Sequence, residues 1–128
     1  MDLLKEAKIA REKAYAPYSK FKVGAAVLTS DGQVFHGCNI ENASYGLAMC
    51  AERVALFKAI SSGYKKDDLI KIAIVGDTKE PISPCGACRQ VMVELLNKDA
   101  EIILGNLDDD IKKYSLEEIL PYSFKELI

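Results

Sequence analysis

Two short cysteine motifs constrain this chain more than any other feature, because each stands at the predicted start of a helix. The motifs are Cys50-Ala51-Glu52-Arg53 and Pro84-Cys85-Gly86-Ala87-Cys88. Cys85 and Cys88 stand three residues apart, so in a first helical turn both sulfurs lie on one face and can reach a single ion. The N-terminal end of a helix also favours the thiolate, which is the form of cysteine that binds zinc. Cys50, at the other helix start, is the candidate for a third ligand.

The spacing of Cys50 and Glu52 restricts the geometry further. Each residue turns a helix by about 100°, so side chains two positions apart point almost opposite ways. The two residues can share a site only if Cys50 lies at or just before the first helical turn. In that arrangement Glu52 lies beside the metal but does not bind it. Three protein ligands with an open fourth position are typical of catalytic zinc, whereas four closed ligands are typical of structural zinc. The motifs therefore predict one catalytic Zn²⁺ per chain.

The start of the chain predicts a cytoplasmic protein, and that location bears on the role of its four cysteines. Residues 1–6 are charged and amphipathic and have no signal-peptide core. No apolar run approaches the roughly 18–20 residues that span a bilayer, so no membrane partner is expected. Thiols in the cytosol are kept reduced, which makes the four cysteines better metal ligands or nucleophiles than disulfide partners.

Length and charge narrow the possible partners. A chain of 128 residues is expected to form a single domain over 1–128 with its own hydrophobic core. Its 17 basic residues are outnumbered by 19 acidic ones, which gives a net charge of −2. Binding a phosphate backbone requires a concentrated basic surface, so nucleic acid is not the expected partner.

Hydrophobic periodicity and turn signals predict an α/β fold. They indicate helices over 2–15, 51–62, 86–97 and 114–120, and strands over 22–29, 33–37, 69–76 and 101–104. The turn Ser30-Asp31-Gly32 joins the first two strands in a hairpin, and Ser115-Leu116-Glu117-Glu118 fits a capping box. The order α-β-β-α-β-α-β-α predicts a three-layer α/β/α sandwich with helices on both faces of one sheet.

The two motifs together, extended by Arg89 and Gln90, resemble those of the small three-cysteine cytidine deaminases. The stretch Gly37-Cys38-Asn39-Ile40-Glu41-Asn42-Ala43-Ser44-Tyr45-Gly46 is similar to the nucleoside-binding stretch of that family. The similarity runs from about residue 16 to residue 124. It implies a central mixed sheet of the cytidine deaminase type, with Cys50, Cys85 and Cys88 as zinc ligands.

The resemblance also implies a reaction, the hydrolytic deamination of cytidine and deoxycytidine in pyrimidine salvage. Zinc lowers the pKa of its bound water, and the resulting hydroxide attacks C4 of the base. Glu52 is the catalytic proton shuttle, which takes the proton of the water, passes it to N3 and later helps to protonate the departing ammonia. Three thiolates leave the zinc cluster with a net charge of −1, and Arg53, on the same side of the helix as Cys50, is expected to offset it.

Further residues receive roles through the resemblance alone. In this family Asn39 and Glu41 would bind the ribose 3′-hydroxyl, Phe21 would pack near the base, and backbone groups of Ala51 and Ser83 would bind the polar edge of the base. The family usually forms homotetramers with active sites completed across subunits. Tyr45 and Phe124 are the candidates for such cross-subunit contacts.

Simpler interpretations remain open at this point. Cys38 could join the other three cysteines in a closed structural zinc site, although that arrangement explains neither Glu52 nor Arg53; otherwise Cys38 is a small buried residue at a strand end. The chain would then be a non-catalytic, zinc-stabilised interaction domain. An aminohydrolase that acts on a cytosine-containing antibiotic, like blasticidin S deaminase, is the alternative within the enzymes. His36 is expected to have a structural or surface role, and the Asp108-Asp109-Asp110 run is expected to be a solvated turn.

Overall fold

The computed structural model describes residues 2–125, in which four α-helices and five strands form the regular structure. The helices are α1 (Leu3–Arg11), α2 (Ala51–Ser61), α3 (Gly86–Leu95) and α4 (Leu116–Ile119). The strands are β1 (Val23–Thr29), β2 (Val34–Cys38), β3 (Leu69–Gly76), β4 (Glu101–Asn106) and β5 (Ile111–Tyr114). No helix in this part of the chain is long and apolar enough to cross a membrane. Of the expected domain 1–128, Met1 and residues 126–128 lie outside the described residues.

The strands form one mixed sheet in the order β2-β1-β3-β4-β5, with helices on both faces. Strands β3 and β4 are parallel, and the other neighbouring pairs are antiparallel. Because side chains alternate between the faces of a sheet, each of the central strands supplies both sides of the core. Facing α2, α3 and α4 are Ala25, Val27, Ile72, Ile74, Ile102 and Leu104. Facing α1 are Ala26, Ala73, Val75 and Ile103. The predicted three-layer α/β/α sandwich is confirmed.

The first helix is shorter than its sequence pattern indicated. It ends at Arg11, whereas the apolar spacing predicted a helix up to residue 15. The backbone N–H of Tyr15 donates to the Asn39 carbonyl at 3.0 Å, and the Tyr15 carbonyl accepts the Glu41 N–H at 2.8 Å. These bonds to a distant segment replace helical ones, so tertiary pairing ends the helix.

Strand β5 is absent from the sequence prediction. It pairs antiparallel with β4 at the edge of the sheet, and its Ile-Lys-Lys-Tyr sequence is mostly exposed. Lysines are common on edge strands, where they discourage further strand pairing, and they hide the apolar alternation by which strands are recognised. The Asp108–Asp110 run forms the turn between β4 and β5, as expected, and Lys8 forms an ion pair with Asp109.

Gly37 in β2 allows α2 to approach the sheet closely. A Cβ atom at this position would lie 2.3 Å from the Ala51 carbonyl oxygen and 2.5 Å from the Ala55 backbone nitrogen. Both contacts are with helix backbone, which cannot rotate aside as a flexible side chain can. The absence of a side chain at Gly37 therefore fixes how near the start of α2, and with it Cys50, lies to the sheet.

Gly37→Ala is therefore expected to lower the free energy of unfolding by about 1–3 kcal/mol or more, the usual cost of overpacking a close contact. It should also lower the amount of zinc retained, since α2 must move. Chemical denaturation and metal analysis measure the two effects. Gly46→Ala is the matched control, because Gly46 lies outside both cysteine motifs and a Cβ there would meet no atom within 4 Å. Equal stability of the two variants would show that the approach of α2 tolerates a methyl group.

Candidate active site and metal centre

The three cysteines predicted to bind zinc lie together at the start of two helices. Cys50 is the N-cap residue of α2, Cys85 is the N-cap residue of α3, and Cys88 lies in the first turn of α3. The Sγ atoms of Cys50 and Cys85 are 3.8 Å apart, and those of Cys85 and Cys88 are 3.1 Å apart. All three sulfurs lie within 4.8 Å of one another. Clustered thiolates are typical zinc ligands, so this donor set fits one Zn²⁺ ion.

The sulfurs share protons unequally. A hydrogen bond from Cys88 is the main cause that lowers the pKa of Cys50 to about 5, and Arg53 contributes to the same effect. The pKa of Cys88 is raised, chiefly because it donates this bond and also because it is buried. Since zinc binds the thiolate form of cysteine, metal ions and protons compete for these sulfurs.

Glu52 lies in the first turn of α2 and is only 4% exposed. Cys50 precedes the helix with extended backbone (φ −77°, ψ 151°), the placement that the sequence required for these two residues to share a site. Burial is the main cause that raises the pKa of Glu52, and the nearby Cys50 thiolate raises it further. A carboxyl group with a raised pKa holds a proton near neutral pH better than an exposed one, which suits general acid–base work.

Arg53 contacts the cysteine cluster directly. Its Nη2 atom donates to Cys50 Sγ at 3.5 Å, and this bond is the main cause that raises the pKa of the guanidinium further. Among the residues that the structure describes, Arg53 Nε is the one buried side-chain nitrogen or oxygen without a hydrogen-bond partner. The guanidinium thus places positive charge and spare donor capacity beside a cluster that becomes negative with three thiolates.

The three side chains predicted to bind the nucleoside lie before β1 and after β2. Asn39 Oδ1 accepts the Val23 N–H at 2.8 Å, and Asn39 Nδ2 donates to the Phe21 carbonyl at 2.8 Å. Glu41 binds the backbone of residues 18 and 19. The Phe21 ring is 39% exposed. The structure therefore brings Phe21, Asn39 and Glu41 into one neighbourhood, where Asn39 and Glu41 are already engaged in ordering the loop that carries Phe21.

The two backbone candidates adjoin the zinc-ligand helices. Ala51 is the first residue of α2 and is fully buried, and its N–H belongs to a first helical turn, where amides lack helical partners. Ser83 precedes the N-cap of α3, and its Oγ accepts a bond from Arg89 Nη2 at 2.7 Å. Arg89 also donates to the Pro84 carbonyl, so α3 holds the loop that leads to Cys85.

The two candidates for cross-subunit contacts are exposed. Tyr45, in a short 3₁₀ turn, is 89% exposed, and Phe124 is 61% exposed. The side chain of Gln90 holds the Phe124 backbone from both sides, donating to its carbonyl at 2.6 Å and accepting its N–H at 3.3 Å. These bonds fix the Phe124 backbone to α3 at Gln90, which lies two residues after the ligand Cys88.

Comparison with protein families supports the zinc site independently. Residues 1–105 match the family model described as the zinc-binding region of cytidine and deoxycytidylate deaminases. This chain belongs to that family. The cofactor of this deaminase is accordingly zinc, with one ion for the cluster of Cys50, Cys85 and Cys88.

Curated relatives and solved structures of the family match nearly the whole chain. A cytidine deaminase of Halalkalibacterium halodurans is 59% identical over 122 residues, 95% of this chain and 91% of the relative. One from Sporosarcina psychrophila is 50% identical, over 97% of this chain and 90% of the relative. The crystal structure of cytidine deaminase from Burkholderia pseudomallei superposes with a TM-score of 0.93 at 58% identity, covering 95% of this chain and 96% of that one. The similarity therefore extends from the zinc motifs to the complete fold.

Two residues lie outside the metal centre of this deaminase. Cys38 ends β2 half-buried and is absent from the sulfur cluster, which among the described residues contains Cys50, Cys85 and Cys88. A closed four-cysteine site is therefore not the arrangement of this structure. His36 lies in β2 with Nε2 2.8 Å from Oε1 of Glu6, the structural role expected for it.

A cavity of about 450 Å³ between α3 and α4 contains none of the predicted site residues.

Sequence reasoning missed Ser19 and assigned no role to Gln90. Each forms a hydrogen bond with a residue more than 20 positions away. Ser19 donates to the Glu41 carboxylate, and Gln90 donates to the Phe124 carbonyl. Neither has a spacing that signals such a contact. The one signal for Gln90 was its place in the extended second cysteine motif, two residues after Cys88.

Proposed function

We propose that this deaminase acts as a single catalytic domain that hydrolyses cytidine and deoxycytidine to uridine and deoxyuridine, with release of ammonia, in cytoplasmic pyrimidine salvage. The observation that carries the proposal is the buried Glu52 beside a three-cysteine cluster that leaves one zinc position open. A closed structural site would have no use for an uncoordinated carboxyl group there. Zinc-dependent hydrolysis is the chemistry of the family to which the chain belongs.

The residues divide the reaction between them. When bound, zinc supplies a nucleophile at neutral pH by lowering the pKa of water. Glu52 accepts a proton from the attacking water and delivers it to N3 of the cytosine ring. It then carries the proton of the new C4 hydroxyl group to the departing amine, so that the C4–N bond breaks with release of ammonia. One carboxyl group can serve all three transfers because burial keeps it near the reaction and raises its pKa. Arg53 offsets the negative charge of the thiolates.

The nucleoside is proposed to lie between the loop before β1 and the starts of α2 and α3. Phe21 packs against the base, and the backbone groups of Ala51 and Ser83 bind its polar edge. Asn39 and Glu41 bind the ribose 3′-hydroxyl. In support, Phe21 retains an exposed face and each of the two polar side chains keeps unused acceptor or donor capacity beyond its bonds to the loop.

The direct test of function is turnover of cytidine, followed by the absorbance change as it becomes uridine. The panel contains cytidine, deoxycytidine and the cytosine-containing antibiotic blasticidin S. We expect the two nucleosides to react and the antibiotic to be the poorer substrate. Loss of activity with a strong chelator and its return with Zn²⁺ would connect turnover to the metal. A zinc-loaded protein inactive on both nucleosides would contradict the proposal.

Cytidine 3′-monophosphate should be turned over orders of magnitude less efficiently than cytidine. A 3′-phosphate removes the hydroxyl donor and brings negative charge against the negative charge of Glu41, and like charges at close range repel each other. Internal nucleotides of DNA and RNA carry the same phosphate, so cytosine in single-stranded oligonucleotides should react as poorly. The measurement is kcat/KM for each substrate.

Glu41→Gln provides the control for this prediction. It should lower kcat/KM for cytidine, because a contact with the ribose is weakened. It should also reduce the difference in kcat/KM between cytidine and cytidine 3′-monophosphate, because the charge repulsion is removed. Efficient deamination of an oligonucleotide by the unmodified protein would overturn the assignment of Glu41. The net charge of −2 agrees with exclusion of nucleic acid.

The assembly is proposed to be a homotetramer with active sites completed by Tyr45 and Phe124 of neighbouring subunits. In support, the large apolar side chains of Tyr45, Leu47 and Phe124 are 89%, 69% and 61% exposed. Tyr45 and Leu47 lie in the same 3₁₀ turn, and an exposed apolar patch commonly marks a protein interface. Light scattering is expected to yield the mass of four chains, whereas a fully active monomer would contradict both the assembly and the cross-subunit contacts.

A further inference from the structure

The hydroxyl group of Ser19 contacts the carboxylate that is proposed to bind ribose. Glu41 Oε2 accepts a hydrogen bond from Ser19 Oγ at 2.5 Å, and Glu41 Oε1 accepts the backbone N–H groups of Tyr18 at 3.0 Å and Ser19 at 3.1 Å. A carboxylate offers about four lone-pair positions, so these three bonds leave about one for a ligand hydroxyl. The Ser19 hydroxyl is also the main cause that lowers the pKa of Glu41, which keeps the group ionised.

The two hydrogen bonds of the Ser19 hydroxyl group run in one direction, from the Phe21 amide toward the Glu41 carboxylate. Ser19 Oγ accepts the backbone N–H of Phe21 at 3.0 Å. An ionised carboxylate can only accept, so the single hydroxyl hydrogen of Ser19 is committed to Glu41. A chain of bonds therefore runs from the Phe21 amide through the Ser19 hydroxyl to Glu41, and bonds in such a chain polarise and strengthen one another.

The same loop is held from its other side by Asn39. This residue accepts the Val23 N–H and donates to the Phe21 carbonyl, so both backbone groups of Phe21 are bonded. Lys20 adopts a left-handed conformation with φ 63°, and its N–H donates to the Ala16 carbonyl at 3.0 Å. The loop is thus a compact turn in which Ser19 is hydrogen-bonded both to the Glu41 carboxylate and to the backbone of Phe21. The proposed sugar-binding group and the proposed base-packing ring are therefore held in one arrangement.

We propose that Ser19 is a positioning residue for recognition of the sugar. It holds the Glu41 carboxylate in the orientation that presents its remaining lone pair to the ribose 3′-hydroxyl. This inference rests on the proposed function, since it takes Glu41 as the ribose-binding carboxylate. Without the hydroxyl, Oε1 keeps its two backbone bonds, but Oε2 is free to turn toward water, and substrates that carry a 3′-hydroxyl lose the most.

The test compares cytidine with 3′-deoxycytidine, which lacks only the group that Glu41 is proposed to bind. Ser19→Ala is expected to lower kcat/KM for cytidine by about tenfold, as for loss of one hydrogen bond to a charged group, mainly through KM. The value for 3′-deoxycytidine should change less than about twofold, because the lost interaction is absent there. Ser19→Thr keeps the hydroxyl and should preserve the preference for cytidine. Ser62→Ala, at the exposed C-terminal end of α2, is the matched control.

A second pair of variants tests the coupling to the carboxylate. In a Glu41→Gln background, Ser19→Ala should not change the ratio of kcat/KM for cytidine to kcat/KM for 3′-deoxycytidine any further. The reason is that the group that Ser19 orients is already changed. Circular dichroism and zinc content verify that each variant is folded. An equal loss of kcat/KM for both substrates, or an unchanged ratio in Ser19→Ala, would overturn the role of Ser19 alone. An unmodified enzyme that does not prefer cytidine to 3′-deoxycytidine would instead overturn the assignment of Glu41, and the role of Ser19 with it.

Discussion

Glu52→Gln will lower kcat for cytidine by about 10²–10⁴-fold, the usual contribution of one general acid–base group. The loss can exceed this range, because the same carboxyl group is proposed to serve three proton transfers. Glutamine has nearly the same shape as glutamate, so it fills the buried space in the first turn of α2 but cannot accept and return the proton. Zinc content and KM should therefore remain close to those of the unmodified enzyme.

The control for this prediction is Glu94→Gln, which makes the same chemical change at an exposed position of α3. Steady-state kinetics, metal analysis and thermal melting of both variants separate a loss of chemistry from a loss of structure. Near-normal turnover in Glu52→Gln would end the mechanism, since no other described carboxyl group is identified in the cysteine cluster. Loss of zinc in Glu52→Gln would instead indicate a structural role.

Removal of any one of Cys50, Cys85 and Cys88 will abolish zinc binding and lower turnover by at least about 10³-fold. Without the metal, the pKa of the attacking water returns from about 7 toward 15.7, so hydroxide is no longer available at neutral pH. A catalytic zinc site has three protein ligands, and each variant retains only two of them. Alanine variants at the three positions, analysed for zinc per chain and for cytidine turnover, are expected to behave alike.

Cys38→Ala is the matched control, because Cys38 ends β2 outside the sulfur cluster. It should retain one zinc per chain and most of the activity. Titration of the native protein with a thiol reagent offers a second measurement, in which zinc is expected to protect three of the four thiols until a chelator is added. Loss of zinc in Cys38→Ala would favour the closed four-cysteine site that the structure does not show.

Local chemistry explains the parts that the sequence predicted well. Strand β3 was predicted over 69–76, which are its bounds in the structure, because an isoleucine-rich segment of this length is typical of a buried strand. The capping box at Ser115 and the i, i+3 spacing of Cys85 and Cys88 were also predicted, since both depend on one helical turn. The position of Cys50 just before α2 followed from the need to place Glu52 in the same site.

Contacts between distant segments explain what the sequence did not predict. The end of α1 at Arg11 depends on bonds from Tyr15 to a segment more than 20 residues away, and β5 exists because β4 offers a free edge for pairing. The roles of Asn39, Glu41 and Phe21 came from a family resemblance and not from spacing, and the bond from Ser19 to Glu41 came from neither.

By itself, therefore, the sequence indicated the starts of α2 and α3, the ligand types and a catalytic zinc ion, because these depend on residue chemistry and on geometry within one helical turn. The class of reaction followed from the family resemblance of its motifs. Only the tertiary structure decided which cysteines meet, that Cys38 stays apart and that Ser19 reaches Glu41. The sulfurs of Cys50 and Cys85 are separated by 35 positions and lie 3.8 Å apart because both helices pack on one face of the sheet. Gly37 lets α2 come near enough for this, and such an approach is a property of packed backbones that no local pattern encodes.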